Sequence, residues 1–76
     1  MAGREAPITA REWSILELLA GRSGRVVSRS ELLDGVWSEI SDATNASLDV
    51  LIGRIRKKLG ANVVRTVRGE GYALGE

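Results

Sequence analysis

The stretch from Thr44 to Leu59, TNASLDVLIGRIRKKL, determines how the rest of the chain must be organised. At about 100° per residue, a helix over this stretch carries two separate stripes of side chains. One stripe is apolar and must pack on a core; its members are Leu48, Ile52, Ile55 and Leu59. The other is small near its N-terminal end and cationic near its C-terminal end; its members are Ser47, Val50, Leu51, Arg54 and Lys58, with Lys57 at its edge.

Such a helix can bury the apolar stripe in a small core and place the second stripe in a groove of nucleic acid. The small end would then approach base edges and the basic end would approach phosphates. A surface helix with a solvated basic face explains the same pattern equally well. The segment that follows the helix decides between these interpretations.

Composition sets the size of the fold and excludes several classes of site. Seventy-six residues suffice for one domain, so we predict a single domain over residues 1–76. The chain contains no Cys and no His, which argues against disulfides, common transition-metal sites and hydrolytic triads. We therefore expect no catalytic residue, no metal and no cofactor. No apolar run approaches ~18 residues and no signal peptide opens the chain, so we expect no membrane contact and a cytoplasmic location.

Charge is divided unevenly along the chain, although the net charge is only +1. Residues 1–49 hold five arginines and eight acidic residues, whereas residues 50–76 hold six basic residues and two acidic ones. No acidic residue lies between Val50 and Gly69. This polarity favours an anionic partner for the C-terminal half.

Capping motifs predict two further helices before the long one. Thr9 stands three residues before Glu12, and Ser28 stands three residues before Glu31, which is the spacing of a capping box. Gly21 is a typical residue for the end of the first helix. The predicted helices are about 9–20, 28–37 and 44–59.

Other positions are assigned from the same motifs. We expect Trp13 to pack in the core as a hydrophobic staple with Ile8, and Ala20 to face inward. Thr44 or Asn45 is expected to cap the third helix.

The periodicity changes after Asn62. Val63–Val67 is a β-branched run, Arg68–Gly71 has the glycines of a turn, and Tyr72–Leu74 is a second short run. The pattern predicts a β-hairpin at about 63–75. The fold class is therefore mostly α with a small β-hairpin, and three helices followed by a C-terminal wing form a winged helix-turn-helix.

Four segments together cover about residues 7 to 75; they are ITAREWSILELLA, GRVVSRSELLDGVW, ASLDVLIGRIRKKLG and VVRTVRGEGYAL. In order and spacing they resemble the OmpR/PhoB-type DNA-binding domain of bacterial response regulators. The resemblance implies sequence-specific binding of double-stranded promoter DNA for transcription regulation, as the effector domain of a two-component system. It also implies that the third helix enters the major groove and that the wing lies at the minor groove.

The resemblance implies roles for individual residues. Arg54 would contact bases, Arg56 would touch phosphate, and Arg68 at the wing tip would enter the minor groove. The predicted DNA-binding residues of the third helix are Ser47, Val50, Leu51, Arg54, Arg56, Lys57 and Lys58. Those of the wing and the DNA backbone contact are Trp37, Arg65, Thr66, Arg68 and Tyr72.

The resemblance also implies partners besides DNA. The loop Ser38–Ala43 would touch RNA polymerase in an activating member, and a receiver domain would accompany this domain in a full-length protein. The family places about four strands before the first helix, of which Arg4–Ile8 could supply one. We therefore expect Ile15 and Leu18 to lack cover, and we expect a weak homodimer through that edge and patch.

Two positions depart from the family pattern, and two other functions stay open. Leu51 stands where a polar residue or His is common, and Gly53 stands where a basic residue is common, so fewer polar contacts are expected. A winged helix can instead bind an acidic protein partner. An RNA-binding domain would need exposed aromatic platforms, whereas the aromatic residues here are mostly assigned to the core.

Overall fold

The computed structural model describes residues 7–22 and 24–75. Three helices come first: α1 (Ala10–Ala20), α2 (Arg29–Trp37) and α3 (Asp42–Leu59). An antiparallel hairpin follows, formed by β1 (Val64–Val67) and β2 (Gly71–Leu74). The predicted fold class, mostly α with a C-terminal β-hairpin, is confirmed.

Both predicted capping boxes are present. The Thr9 hydroxyl accepts a hydrogen bond from the Glu12 backbone N–H at 3.2 Å, and the Glu12 carboxylate accepts one from the Thr9 N–H at 3.1 Å. Ser28 and Glu31 are arranged in the same way at the start of α2. Each reciprocal pair satisfies backbone donors that a helix start leaves free, so the local sequence determines where α1 and α2 begin.

The third helix begins two residues earlier than predicted. Its cap is Ser41, and neither Thr44 nor Asn45 takes that role. The Ser41 hydroxyl accepts from the Thr44 N–H at 3.2 Å, and the Thr44 hydroxyl accepts from the Ser41 N–H at 2.9 Å. Thr44 also donates to the Glu39 carbonyl and is buried, which explains why it lies inside the helix.

The core lies between the three helices and the inner face of the hairpin. Its buried apolar members are Ile15, Leu16, Leu19, Val27, Leu32, Leu33, Leu48, Ile52, Ile55, Val64 and Tyr72. Ile15 is fully buried, and Leu18 is half-buried against this core. The expectation that these two residues lack cover was therefore wrong, because α1 already packs against α2, α3 and β2. The dimer patch predicted on them is not a free surface.

Three apolar residues assigned to the interior are exposed. Trp13 is 54% exposed, Leu59 is 48% exposed, and Ala20 also lies at the surface. The inner face of α1 instead follows Glu12, Ile15, Leu16 and Leu19, which have the spacing of one helical face. Trp13 is adjacent to Glu12 in sequence and therefore lies about 100° away around the helix.

The hairpin docks on the chain before α2 through backbone atoms. The Val27 N–H donates to the Tyr72 carbonyl at 2.7 Å, and the Tyr72 N–H donates to the Val27 carbonyl at 2.9 Å. Gly71 has φ of 149°, and a Cβ there would collide with the Val27 carbonyl oxygen. Only glycine allows this close approach. Of the predicted Arg4–Ile8 strand, residues 4–6 lie outside the described residues, and Pro7 and Ile8 are not in a strand.

A buried ion pair joins the start of α1 to the end of α3. The fully buried Glu12 carboxylate accepts a hydrogen bond from the Lys58 ammonium at 2.6 Å, and the same ammonium donates to the Pro7 carbonyl at 2.7 Å. Burial by itself would raise the pKa of Glu12, but the hydrogen bonds from Lys58 and Thr9 and the charge of Lys58 outweigh it and lower that pKa. The Lys58 side chain is only 20% exposed. Lys58 was predicted to bind DNA, but its ammonium instead stabilises the fold.

We expect Lys58→Met to lower the free energy of unfolding by about 3 kcal/mol, because it leaves a buried carboxylate without its cation. Lys57→Met is the matched control, since Lys57 is an exposed neighbour, and it should change stability by less than about 0.5 kcal/mol. Urea unfolding at neutral pH measures both. Equal stabilities of the two variants would contradict a structural role for the ion pair.

The same ion pair makes a pH-dependent prediction. The pKa of Glu12 is lowered in the folded state, so the stability that it contributes is present at neutral pH and is lost as pH falls through that lowered value. The difference in free energy of unfolding between Lys58→Met and the parent protein should therefore be largest at neutral pH and should shrink as acid protonates Glu12. Urea unfolding at a series of pH values tests this, and a difference that stays constant in acid would contradict it.

Candidate nucleic-acid interface

The side of α3 opposite the core is exposed along its length. Ser47, Val50 and Arg54 are exposed, and Leu51 is half-buried beside them. We call these four residues the outer stripe of α3. A small hydroxyl, two apolar side chains and one exposed guanidinium lie in succession on it. A surface with this succession can approach base edges closely and still present a cation.

Arg29, at the start of α2, connects α3 to the hairpin. Its guanidinium donates to the Asn45 side chain at 3.0 Å, to the Asn45 carbonyl at 3.2 Å and to Asp49 at 2.9 Å. It also donates to the Tyr72 hydroxyl of β2 at 3.0 Å. The hydrogen bond with Asp49 raises the pKa of Arg29, so the guanidinium remains charged. The Arg29 side chain therefore fixes the position of β2 relative to the N-terminal half of α3.

Arg56 makes a second connection between α3 and the hairpin. Its Nε and Nη2 donate to the Val64 carbonyl at 3.0 and 2.9 Å, and Nη2 also donates to the Thr66 hydroxyl at 2.7 Å. The resemblance implied a phosphate contact for Arg56. The structure places its guanidinium on β1, where it positions the wing.

The wing presents one cation at its tip. Arg68 is exposed, and Gly69 follows it with φ of 76°, which completes the turn. Arg65 is also exposed, but its Nη2 lies 3.5 Å from the Gly24 carbonyl, on the side of the α1–α2 loop. Tyr72 is mostly buried, and its hydroxyl is part of the Arg29 contacts.

A cleft of about 380 Å³ lies beside the outer stripe. Its lining residues are Arg11, Trp37, Ala46, Ser47, Val50, Leu51 and Arg54. Trp37, at the end of α2, is half-buried, and the Arg11 guanidinium carbon lies 5.1 Å from the centre of its ring. The structure therefore brings Trp37 together with the outer stripe and adds Arg11 from α1.

Sequence reasoning missed Arg11, Arg29, Asn45 and Asp49 as residues of this region. Their contacts join residues that are distant in sequence, for example 20 positions between Arg29 and Asp49. Periodicity and capping motifs are local signals, so they do not report such pairs. Lys57, in contrast, is exposed at the edge of the stripe, as the helical pattern indicates.

Within residues 7–22 and 24–75, no group of His, Cys, Asp and Glu is arranged to hold a metal ion. In the same ranges, no helix is long and apolar enough to cross a membrane.

Similar proteins have this fold and share much of this sequence. The sequence profile of the family described as "Transcriptional regulatory protein, C terminal" matches residues 3–74. The phosphate regulon transcriptional regulatory protein PhoB of Rhizobium meliloti is 45% identical over 75 residues, which cover 93% of this chain and 33% of that protein. QseB of Haemophilus influenzae is 42% identical over 69 residues, covering 91% of this chain and 31% of that protein. The chain thus spans about a third of the length of these curated relatives.

Solved structures agree with this assignment. The RstA DNA-binding domain of Klebsiella pneumoniae, in complex with the RstA box, superposes with a TM-score of 0.79 at 31% identity, over 96% of this chain and 77% of that one. The DNA-binding domain of AdeR, in complex with an intercistronic region, superposes with a TM-score of 0.75 at 28% identity, over 92% of this chain and 76% of that one. The family consists of transcription factors and not of enzymes. The chain belongs to this family, the OmpR/PhoB-type winged-helix DNA-binding domains of two-component response regulators.

Proposed function

We propose that this domain binds a promoter duplex with α3 in the major groove and the wing at the adjacent minor groove. The observation that carries the proposal is the outer stripe of α3, which is exposed along a helix that Arg29 joins to the wing through Asn45 and Tyr72. The DNA-bound structures of the RstA and AdeR domains support it, since they share this fold.

Within this arrangement, Arg54 is placed to donate two hydrogen bonds to a guanine edge. Val50, one helical turn before it and 52% exposed, suits contact with a thymine methyl group. Lys57 is placed for phosphate contact at the edge of the stripe, and Trp37 for contact with the DNA backbone. Lys58 is left out of the proposed interface because Glu12 engages its ammonium.

Further partners are proposed for the protein in which this domain works. We propose a receiver domain elsewhere in that protein and a bacterial cytoplasmic location. In the loop Ser38–Ala43, whose last two residues form the start of α3, Ile40 is 58% exposed and offers an apolar contact for RNA polymerase. We also propose that residues 1–76 fold as one domain, because all three helices and the hairpin contribute to one core.

Titration of labelled duplex DNA at several salt concentrations tests the proposal. The logarithm of the association constant should fall linearly with the logarithm of the salt concentration, as phosphate neutralisation requires. A domain that instead binds an acidic protein should show no duplex binding even at low salt. That result would overturn the proposed function.

We expect Arg54→Ala to lose about 1–3 kcal/mol of binding free energy on the specific site and much less on random duplex, because a base contact carries sequence information. Lys57→Ala is the matched control: a phosphate contact should weaken specific and random binding equally. Competition titrations with both duplexes measure the two losses. Equal losses for Arg54→Ala on both duplexes would assign Arg54 to phosphate.

We expect Arg68→Ala to weaken binding most on sites with A·T-rich flanks, because a narrow A·T-rich minor groove attracts an arginine side chain. Replacing those flanks with G·C pairs should then affect the variant less than the parent. Arg65→Ala is the control, since Arg65 points toward Gly24, and it should keep the parental flank preference. An unchanged flank preference in Arg68→Ala would exclude the wing tip from DNA recognition.

A further inference from the structure

The contact between Arg11 and Trp37 has no role in the function proposed above. Arg11 is the second residue of α1 and is exposed, and its guanidinium lies over the Trp37 ring at 5.1 Å. Among the described residues, no carboxylate forms an ion pair with Arg11. An aromatic face attracts a cation without neutralising its charge. The contact therefore restricts the position of a guanidinium that remains free to bind an anion.

Arg11 and Arg54 line the same cleft, so the two cations lie on one surface. The apolar side chains of Ala46, Val50 and Leu51 line the same cleft. A strand of DNA offers matching chemistry, with anionic phosphates separated by the carbon atoms of deoxyribose. A phosphate would meet the Arg11 guanidinium, while Arg54 keeps its base contact, and the adjoining sugar would lie against Ala46 of the cleft.

We propose that Arg11 binds a backbone phosphate beside the major groove that α3 enters, and that Trp37 holds its guanidinium in position. This inference rests on the proposed function and extends the interface from α2, α3 and the wing onto α1. Arg11 is a phosphate-contacting residue in this scheme, so it adds affinity and orientation and carries no sequence information by itself.

The dependence of binding on salt measures the number of phosphates that the protein neutralises. We expect Arg11→Ala to reduce the slope of log K against log salt by about 0.9, which corresponds to one phosphate on duplex DNA. Arg11→Lys should keep the parental slope, because an ammonium also neutralises a phosphate. Fluorescence anisotropy with the specific duplex at four or more salt concentrations supplies the slopes.

Arg22→Ala is the control for net charge. It removes the same charge from an exposed residue just beyond the other end of α1, about 16 Å along the helix axis. Its slope should equal that of the parent. Equal reductions in Arg11→Ala and Arg22→Ala would show that only net charge matters and would overturn the inference.

Combining substitutions tests the part assigned to Trp37. If the ring positions the guanidinium, Arg11→Ala should reduce affinity by a smaller factor in a Trp37→Leu protein than in the parent. Urea unfolding checks that each variant is folded, and Trp37→Met, which keeps more of the side-chain volume without an aromatic face, replaces Trp37→Leu if the latter unfolds. If the two substitutions instead reduce affinity by independent factors that multiply in the folded double variant, Trp37 does not position Arg11.

The outcomes separate this inference from the proposed function. A parental slope in Arg11→Ala, with sequence preference still lost in Arg54→Ala, would overturn the phosphate contact and leave the proposed function standing. A parent protein without salt-dependent duplex binding would overturn both.

Discussion

The hydrogen bonds of the Arg29 guanidinium, together with those of Arg56, hold the third helix and the wing in position relative to each other. A planar fork of N–H donors reaches Asn45 and Asp49 on α3 and Tyr72 on β2 from one point at the start of α2. The ion pair with Asp49 is exposed and contributes little stability by itself, since that side chain is 62% exposed. The importance of Arg29 comes from the number of partners that its planar guanidinium reaches at once, since a lysine has no such fixed geometry.

The basic residues near the C-terminal end of α3 are divided between folding and the outer surface. Arg56 holds β1, and Lys58 compensates the buried charge of Glu12. Arg54 and Lys57 are left exposed for an anionic partner. A count of basic residues therefore overstates the cationic surface, and only the contacts reveal which charges are free. Because cationic side chains of α3 hold both the wing and α1, α3 is the element on which the other parts are assembled.

Local chemistry made much of this fold predictable. The capping boxes at Thr9 and Ser28 located two helix starts, because both partners of each hydrogen bond lie within four residues. The β-branched run and the glycines after Asn62 located the hairpin. The outer stripe of α3 was also predictable, since a helical repeat places every residue relative to the buried Leu48.

The remaining features depend on contacts between distant parts of the chain. Glu12 can be buried because Lys58, 46 positions away in sequence, compensates its charge. No local pattern reports this pair, so the sequence favours the apolar Trp13 for the interior position that Glu12 occupies. Ser41, Thr44 and Asn45 all have side chains that can cap α3. Thr44 is buried inside the helix, and Ser41 is the cap. Arg11 carries no local signal at all, because its partner Trp37 lies on another helix.

Gly71 permits the backbone pairing of Val27 with Tyr72. Because of this pairing, the way in which the hairpin docks does not depend on the side chains that its tip presents. The hairpin docks through main-chain atoms close to its strand ends, and the side chains of its tip take no part in that docking. Arg68 and Glu70 can thus be exchanged with little cost in folding, whereas the turn requires Gly69 at its φ of 76°. The wing tip can in this way change its chemistry while the frame that carries it stays the same.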